Sequence, residues 1–506
     1  MIHAQELGNE TPQALFTHRS KLGRLSWSTL LILSLCGCTL GPSFRAPPLP
    51  SSPRYTAQPL TMTEQRLFQG HALPSRRWWA AFGSTTLNRF MAEALVHSPT
   101  LEGSLATLRE AHYALIAAEG IFYPQIGLGL SAARQQSSGA SFGGSVPGRI
   151  FDVYGGNVTV GYYPDVFGVN RLVYREKKAQ ENAARNEAEA TALTLEGNVF
   201  ATAVDLAESD DEIRATRSIV TADRHVLALV RSEYRAGATS RLAVLQQESQ
   251  LAGDEATLYP LLQSRTVAAH ALDTLTGTPP SVGIPRLTLR TFHMPGHFSL
   301  AYPSTVIENR PDVRAALDTL KAVNAQVGEA IASEYPLVEI TGSWGHQSNI
   351  IADFLNTASR SWNLVGTLSY TIFSGGTLRA QVRESKAAYE AAFFQYQNTV
   401  LGALSQVANA LQAVSHDDAL VRAEDRALHA AERTYHLARA EYRLGATSYL
   451  SLLQAEATYR RAILADVRAH AQRLTDAATL EIALGGDPFP PGQPPVLPSF
   501  HAVQHE

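Results

Sequence analysis

The chain has 506 residues, which is enough for two or three domains of ordinary size. Its formal net charge of -4 leaves no large basic surface, so nucleic acid is not expected as a partner. The only two cysteines lie near the amino terminus, which excludes a disulfide framework or a cysteine metal site in the body of the protein.

The amino-terminal residues predict a secretory signal that ends in a lipid attachment site. Basic residues within 18–25 precede an apolar run of about a dozen residues, shorter than the roughly 20 needed to span a bilayer. The run ends in the sequence LCGC, which is similar to a lipobox. We therefore predict a lipoprotein signal peptide over 1–37 and a lipid on Cys38. A plain signal peptide with incidental cysteines is the alternative. Thr39, rather than Asp, after the lipidated cysteine favours the outer membrane.

Residues 38–75 begin CTLGPSFRAPPLPSSPRY, and their prolines predict an extended, poorly packed tether anchored in outer-membrane lipid.

The body of the chain contains an internal duplication. Residues 98–126 align with 310–338 without a gap. In both segments a helical pattern leads into a Tyr-Pro pair. Further on, EYRAGATSRLAVLQQE at 233–248 and EYRLGATSYLSLLQAE at 441–456 are identical at eleven of sixteen positions. The same segments in the same order twice predict two structural repeats, 76–286 and 287–486, rather than a short solenoid repeat.

Each repeat carries two runs that alternate apolar and polar residues. The predicted strands lie at about 124–134 and 155–165 in the first repeat, and at about 336–346 and 362–372 in the second. Each has the length of a tilted strand that crosses a membrane, although hairpins of water-soluble proteins alternate in the same way. Pro164 predicts that the second strand ends near it, because proline cannot donate to a sheet ladder.

A long helical segment follows each pair of strands. Residues 171–235 and 377–443 contain no proline and almost no glycine. In the second segment, apolar residues recur at alternating steps of four and three, which is the seam of a coiled coil. The seam consists of Tyr389, Phe393, Tyr396, Val400, Ala403, Val407, Ala410 and Val414. An arm of an ordinary soluble bundle is the alternative, but such bundles seldom have helices of this length.

Each long helix runs into the sequence Tyr-Arg-x-Gly-Ala-Thr-Ser. Gly237 and Gly445 are expected just past a helix end, and the Thr-Ser pair after each can cap the next helix. The tips at 236–241 and 444–449 are therefore predicted turns between antiparallel helices. The first helix is longer than the second, so the turn is expected far from the strands. Its near-identity in both copies predicts contact with a partner.

Taken together and in this order, these segments resemble the TolC-like outer-membrane efflux proteins, in their NodT/OprM-type lipoprotein branch. The matching segments are the lipobox with CTLGPSFRAP, RRWWAAFGSTTLNRFMAEAL, YPQIGLGLSA, NRPDVRAALDTLKAVNAQVGEAIASEYP, DVFG, IFSGG and the paired YRxGATS turns. The resemblance covers essentially the whole mature chain. It implies a mixed fold of long coiled-coil helices and a membrane β-barrel. Each protomer of a homotrimer would supply four transmembrane strands to a 12-stranded barrel on an α-helical periplasmic tunnel.

The resemblance also implies a function: a passive exit duct for drugs or other small toxic compounds in the outer membrane. A periplasmic membrane-fusion adaptor and an inner-membrane pump, with the RND type expected, would be the partners. The implied adaptor contacts are Gly237, Ala238, Thr239, Gly445, Ala446 and Thr447. The implied periplasmic gate consists of Ala243, Gln246, Tyr449, Ser451 and Gln454.

The gate departs from the pattern of the family. Relatives often carry acidic residues just after the second tip, where this chain has Ser451 and Gln454, and the first copy has Ala243 and Gln246. We therefore predict a closed state held by neutral hydrogen bonds and packing, and a channel less sensitive to cations. The copies also differ at Arg241 and Tyr449, which predicts unequal roles in gating.

Three other functions compete with this interpretation. An enzyme is disfavoured because the 16 histidines are scattered and HExxH does not occur, and no cofactor or metal site is predicted. A structural coiled-coil lipoprotein or adhesin would not need four membrane-length strands. An exit duct for type I protein secretion remains an alternative function within the same fold.

The proline-rich residues 487–506 are expected to form a loose tail.

Overall fold

The structure is a computed structural model, and it describes residues 40–48, 54–57, 68, 70–71, 73–138, 148–281 and 283–485. The predicted signal peptide over 1–37, the lipid site at Cys38 and the tail over 487–506 lie outside the described residues. The chain divides into two compact units. Unit 1 contains Ala114–Lys178, Ala322–Tyr389 and the described residues before Arg45, and unit 2 contains the remainder.

Eight α-helices and four strands are defined in the described residues. The helices are α1 (Thr85–His97), α2 (Pro99–Glu119), α3 (Val169–Arg235), α4 (Arg241–Leu275), α5 (Pro303–Asn309), α6 (Pro311–Ala332), α7 (Thr377–Arg443) and α8 (Tyr449–Ala483). The strands are β1 (Gln125–Gln136), β2 (Ile150–Tyr162), β3 (Leu337–Ser348) and β4 (Arg360–Ser369). The duplication is visible in the helix lengths, because α3 and α7 both have 67 residues while α4 and α8 both have 35. No helix in the described part of the chain is both long and apolar enough to cross a bilayer.

Unit 1 is built on one antiparallel sheet with the strand order β1-β2-β3-β4. β2 begins at Ile150, earlier than the predicted start near 155, because Ile150 still pairs with the last residue of β1. It ends at Tyr162, before Pro164. β4 ends at Ser369 instead of near 372, because Ser369 already pairs with Leu337, the first residue of β3.

The two faces of this sheet have different chemistry. Residues paired directly across neighbouring strands share a face. One face is therefore apolar across all four strands; it includes Ile126, Leu128, Leu130, Val158, Val160, Ile340, Trp344, Trp362, Leu364 and Leu368. The other face carries mainly Gly, Ser, Thr, Asn and Gln. Most of the apolar side chains are exposed, and no described residue pairs with the outer edge of β1 or β4.

The segment at the described amino-terminal end of unit 1 is attached to the unit. The backbone N–H of Leu40 donates to the Phe167 carbonyl at 3.3 Å, and Asn324 of α6 donates to the Pro42 carbonyl at 3.2 Å. Gly41 lies so close to Gly328 of α6 that an added Cβ would be 2.7 Å from its Cα. These residues are extended and largely exposed, yet two hydrogen bonds and a glycine contact hold them against unit 1, so the tether stays a prediction.

Unit 2 has an aromatic core that accounts for the RRWWAAFG segment. The rings of Trp78 and Phe82 lie 5.4 and 4.6 Å from that of Phe200 in α3. The Trp78 indole donates to Glu196 at 2.9 Å, and burial raises the pKa of this carboxyl to about 8. Ser84 caps α1 by accepting from the backbone N–H of Leu87.

Arg310 accounts for the NRPDV segment of unit 2. Its guanidinium donates to the carbonyl of Ala483 at 2.6 Å and so satisfies a backbone group at the end of α8. The same side chain also bonds Asp312 and Gln406, the latter in α7.

The predicted seam of α7 is buried over most of its length. All six seam residues from Tyr396 to Val414 are buried, whereas Tyr389 and Phe393 are half-buried. The buried positions continue in the same steps through Asp417 and Val421.

Candidate functional site

The duplicated turns have the same backbone geometry. Gly237 and Gly445 both have φ of 73°, the left-handed conformation that side chains disfavour. In each turn the glycine N–H and the next N–H bond back to carbonyls of the preceding helix at 2.9 to 3.0 Å. An added Cβ at either glycine meets no atom within 4 Å. Glycine is therefore required here by the backbone conformation and not by lack of space.

The helices after the turns start with serine caps. Ser240 accepts from the N–H of Ala243, and Ser448 accepts from the N–H of Ser451. These bonds satisfy donors that a helix start leaves free, so each turn is closed on both sides.

The turns expose large apolar side chains. Leu444 has 84% of its surface exposed, and the equivalent leucines Leu242 and Leu450 have 63% and 57%. Single exposed leucines are ordinary, whereas these two turns together expose several.

Behind the turns, the α3–α4 hairpin contacts the α7–α8 hairpin. Tyr449 at the start of α8 donates its hydroxyl to Gln247 of α4, which is fully buried. Its ring packs against a small apolar cluster that contains Val226, Val230 and Ala243. This contact is one neutral hydrogen bond in an apolar setting. Burial raises the pKa of the Tyr449 hydroxyl, which keeps it protonated and able to donate.

A second tyrosine adds another bond between the hairpins. Tyr442 in the last turn of α7 donates to Glu233 of α3 at 2.8 Å. Its ring lies 5.7 Å from that of Tyr449. Burial and the bond to Glu233 raise the pKa of Tyr442 to about 12.

Further from the turns, charged groups are buried between the same hairpins. Asp223 of α3 has 0% of its surface exposed and faces Glu456 of α8, which is also buried. Arg460 of α8 forms an ion pair with Asp254 of α4 and lies 3.7 Å from Asp223. We call these four residues the carboxyl–arginine cluster. The charged side chains of this cluster connect α3, α4 and α8.

The cluster holds more acidic groups than basic ones. Burial, and after it the facing Glu456, raise the pKa of Asp223 to about 8 against the opposing effect of Arg460. Burial also raises the pKa of Glu456. Two facing carboxyls in a dry site share one proton, because both cannot ionise there at low cost.

The structure places the predicted site residues in two environments. The predicted adaptor contacts lie on the turns, where only Thr239 and Thr447 are half-buried. Ser451, Gln454 and Gln246 are exposed. Ala243 is buried, and Tyr449 contacts the other hairpin.

Sequence reasoning missed the carboxyl–arginine cluster and Gln247. The closed state held by neutral hydrogen bonds and packing stays a prediction, and the structure shows buried charges between the hairpins beside the neutral Tyr449–Gln247 bond. One signal was available: Gln247 faces Tyr449, and both occupy positions at which the two copies differ. The described residues contain one group suited to a metal ion, Asp425, Asp466 and His470, and none of its members belongs to the turns.

Comparison with known proteins identifies the arrangement. Residues 91–278 and 302–486 match the family described as outer membrane efflux protein. The pyoverdine export outer membrane protein OpmQ of Pseudomonas aeruginosa is 27% identical over 464 residues, covering 91% of this chain and 95% of OpmQ. Nodulation protein T of Rhizobium leguminosarum bv. viciae is 26% identical over 468 residues, covering 91% and 92%. The solved structure of the outer-membrane channel OprN superposes with a TM-score of 0.82 at 24% identity, covering 89% of this chain and 99% of OprN.

Proposed function

Because the chain belongs to the outer membrane efflux protein family, we propose that it is the outer-membrane exit duct of a tripartite efflux pump. In this proposal it conducts drugs or other small toxic compounds passively to the exterior. An RND-type pump in the inner membrane supplies the energy, and a periplasmic membrane-fusion adaptor joins the two. The names of the relatives, which include a pyoverdine exporter, support a small-molecule cargo.

The observation that carries the proposal is the sheet of unit 1, with one apolar face, one polar face and two edges that no described residue pairs with. A bilayer does not tolerate unpaired strand edges, so such a sheet must close on itself or on copies of itself. An even number of antiparallel strands lets β4 of one copy pair antiparallel with β1 of the next. Three copies would form a 12-stranded barrel whose apolar face meets lipid and whose polar face lines the pore.

The duplicated turns are the proposed docking site for the adaptor. Their exposed leucines and the identical Gly-Ala-Thr sequences of both copies support this role. A homotrimer would present six such turns. The proposed lipid on Cys38 would anchor each chain to the outer membrane, in which the barrel is embedded.

The test expresses the protein in a host that lacks its own exit duct but keeps a pump and adaptor. Restored efflux of a fluorescent drug, together with heat-modifiable migration at the size of a trimer in outer-membrane fractions, is the expected result. A monomer in the periplasmic fraction that restores no efflux would contradict the proposal.

The docking role has its own variants. Leu444→Asp with Leu450→Asp places two charges on the second turn, while Leu420→Asp charges an exposed leucine of α7 away from it. We expect the double variant to assemble and to lose crosslinking to the adaptor together with efflux. Equal loss in Leu420→Asp would show that the turns have no special role.

A further inference from the structure

One face of α7 carries four residues of the types that bind metal ions. They occur at steps of four, three and four residues, so they follow one line along the helix: Asp425, His429, Glu432 and His436. Asp466 and His470 of α8 are one helical turn apart, and both lie near Asp425. Five of these six side chains, all except that of Asp425, line a cavity of about 1110 Å³ in unit 2.

The distances among three of them suit a shared ligand better than hydrogen bonding. His470 Nε2 lies 3.6 Å from Asp425 Oδ1 and 3.8 Å from Asp466 Oδ1. Both distances exceed those of normal hydrogen bonds. Two ligands of one tetrahedral zinc ion at about 2.0–2.1 Å are about 3.3 Å apart, so shifts of a few tenths of an ångström would bring His470 to that distance from each carboxylate. One donor atom from each residue already lies within 4.8 Å of the others.

One carboxylate oxygen of Asp466 is buried without a hydrogen-bond donor in the described part of the chain. Its side chain is only 16% exposed, and its Oδ1 atom is buried without a hydrogen-bond partner among the described residues. A buried carboxylate of this kind is satisfied by a hydrogen-bond donor or by a cation.

We propose that Asp425, Asp466 and His470 form a binding site for a divalent transition-metal ion of the zinc type. Two carboxylates and an imidazole are a ligand set that zinc accepts, and the remaining coordination positions would be filled by water from the cavity. The ion would connect α7 to α8. No local sequence pattern indicates this site, because Asp425 and Asp466 are 41 residues apart and meet only through helix packing.

The proposal does not depend on the channel function, because all three ligands belong to one chain. Two simpler accounts are separable from it. In one, His470 only forms an ion pair with the two carboxylates. In the other, the carboxylates attract any divalent cation without using the imidazole.

The experiment uses the full-length protein in detergent, freed of metal with a chelator and dialysed against Zn²⁺ at pH 7.5. Bound metal is measured by mass spectrometry of the element. About one Zn²⁺ per chain is expected for the wild type, and binding at least about tenfold weaker for His470→Ala and for Asp466→Asn, since even outer-shell partners of a metal contribute that much. His436→Ala removes an exposed imidazole from the same cavity and is the matched control, with binding unchanged.

Three results would overturn the site: no Zn²⁺ bound by the wild type, equal binding in His470→Ala, or displacement of Zn²⁺ by millimolar Mg²⁺. Asp425→Asn is a variant that should fold normally, because the Asp425 side chain is 47% exposed. It is also expected to weaken binding. As an independent readout, Zn²⁺ should raise the unfolding temperature of the wild type and of His436→Ala, but not of His470→Ala. If Zn²⁺ raised the unfolding temperature of His470→Ala as well, this result would also reject the site.

Discussion

The hydroxyl of Tyr449 donates a hydrogen bond to Gln247, and this bond joins the second helical hairpin to the first. The equivalent positions in the opposite copies are Arg241 and Ala455. Neither copy therefore holds both partners, and the bond takes one residue from each copy. A contact of this kind, one residue from the turn, is well placed to hold the hairpins together in a closed state.

The first prediction concerns that bond. Tyr449→Phe removes the hydroxyl and leaves the ring in its apolar cluster, so the contact should weaken by about 0.5–1.5 kcal/mol, the net value of one hydrogen bond. If the contact helps to close the channel, single-channel recordings should show more frequent opening. Tyr259→Phe, at an exposed position of α4, is the control and should behave as wild type. If the opening frequency of Tyr449→Phe equalled that of the wild type, the contact would not be part of the gate.

The second prediction is a dependence of stability on pH. The pKa of Asp223, raised to about 8 in the folded chain, lies above the value of about 3.9 for an unfolded aspartate. The folded state therefore holds this proton more tightly. Its stabilising effect is complete below about pH 4 and is lost as the pH rises to about 8. The unfolding temperature of the wild type should fall between pH 5 and pH 9.

Asp223→Asn separates this contribution from those of other buried carboxyls, such as Glu196, whose pKa is also raised. The amide cannot ionise, so the unfolding temperature of the variant should fall less steeply than that of the wild type over the same range. Glu248→Gln, which removes an exposed ion pair with Arg231, should keep the wild-type slope. Parallel slopes for the wild type and Asp223→Asn would disprove the shared proton.

The third prediction concerns the left-handed glycine of the second turn. Gly445→Val places a branched side chain at φ of 73°, at a cost of about 1–2 kcal/mol, and should reduce efflux while trimers still form. Gly445→Asn should keep more activity, because asparagine tolerates this conformation. Gly253→Ala lies inside α4 with free space around it and should stabilise the helix slightly. If valine and asparagine reduced efflux equally, then side-chain bulk at the docking surface, not backbone strain, would be the cause.

The fourth prediction follows from the neutral side chains after the second turn. Wild-type conductance should respond weakly to divalent cations added on the periplasmic side. Ser451→Asp with Gln454→Asp should create strong block, because three copies would bring six carboxylates together. Ser249→Asp adds a carboxylate on the exposed surface of α4 and should leave the response unchanged. Strong block of the wild type at low cation concentration would refute the neutral gate.

Local patterns in the sequence were enough to indicate the helices, the strands and the turns. Alternation, the absence of proline and the left-handed glycines each act over a few residues, so they can be read without a structure. The bounds of β2 and β4 were less accessible, since Ile150 and Ser369 are strand ends only because of the residues they pair with.

The chemistry between the hairpins could not be read in this way. Asp223 and Glu456 are ordinary acidic residues of amphipathic helices until packing places them face to face. Arg460 has no counterpart that the repeat would have highlighted. Contacts between distant helices depend on the relative rotation of those helices, which no local pattern specifies.

The matching lengths of α3 with α7 and of α4 with α8 have a consequence for the contact between the hairpins. Two identical hairpins would have placed the same side chains on both sides of the contact. Because Tyr449 and Gln247 belong to different copies, this bond takes one partner from each hairpin. The two hairpins, although equal in length, are therefore not interchangeable at this contact.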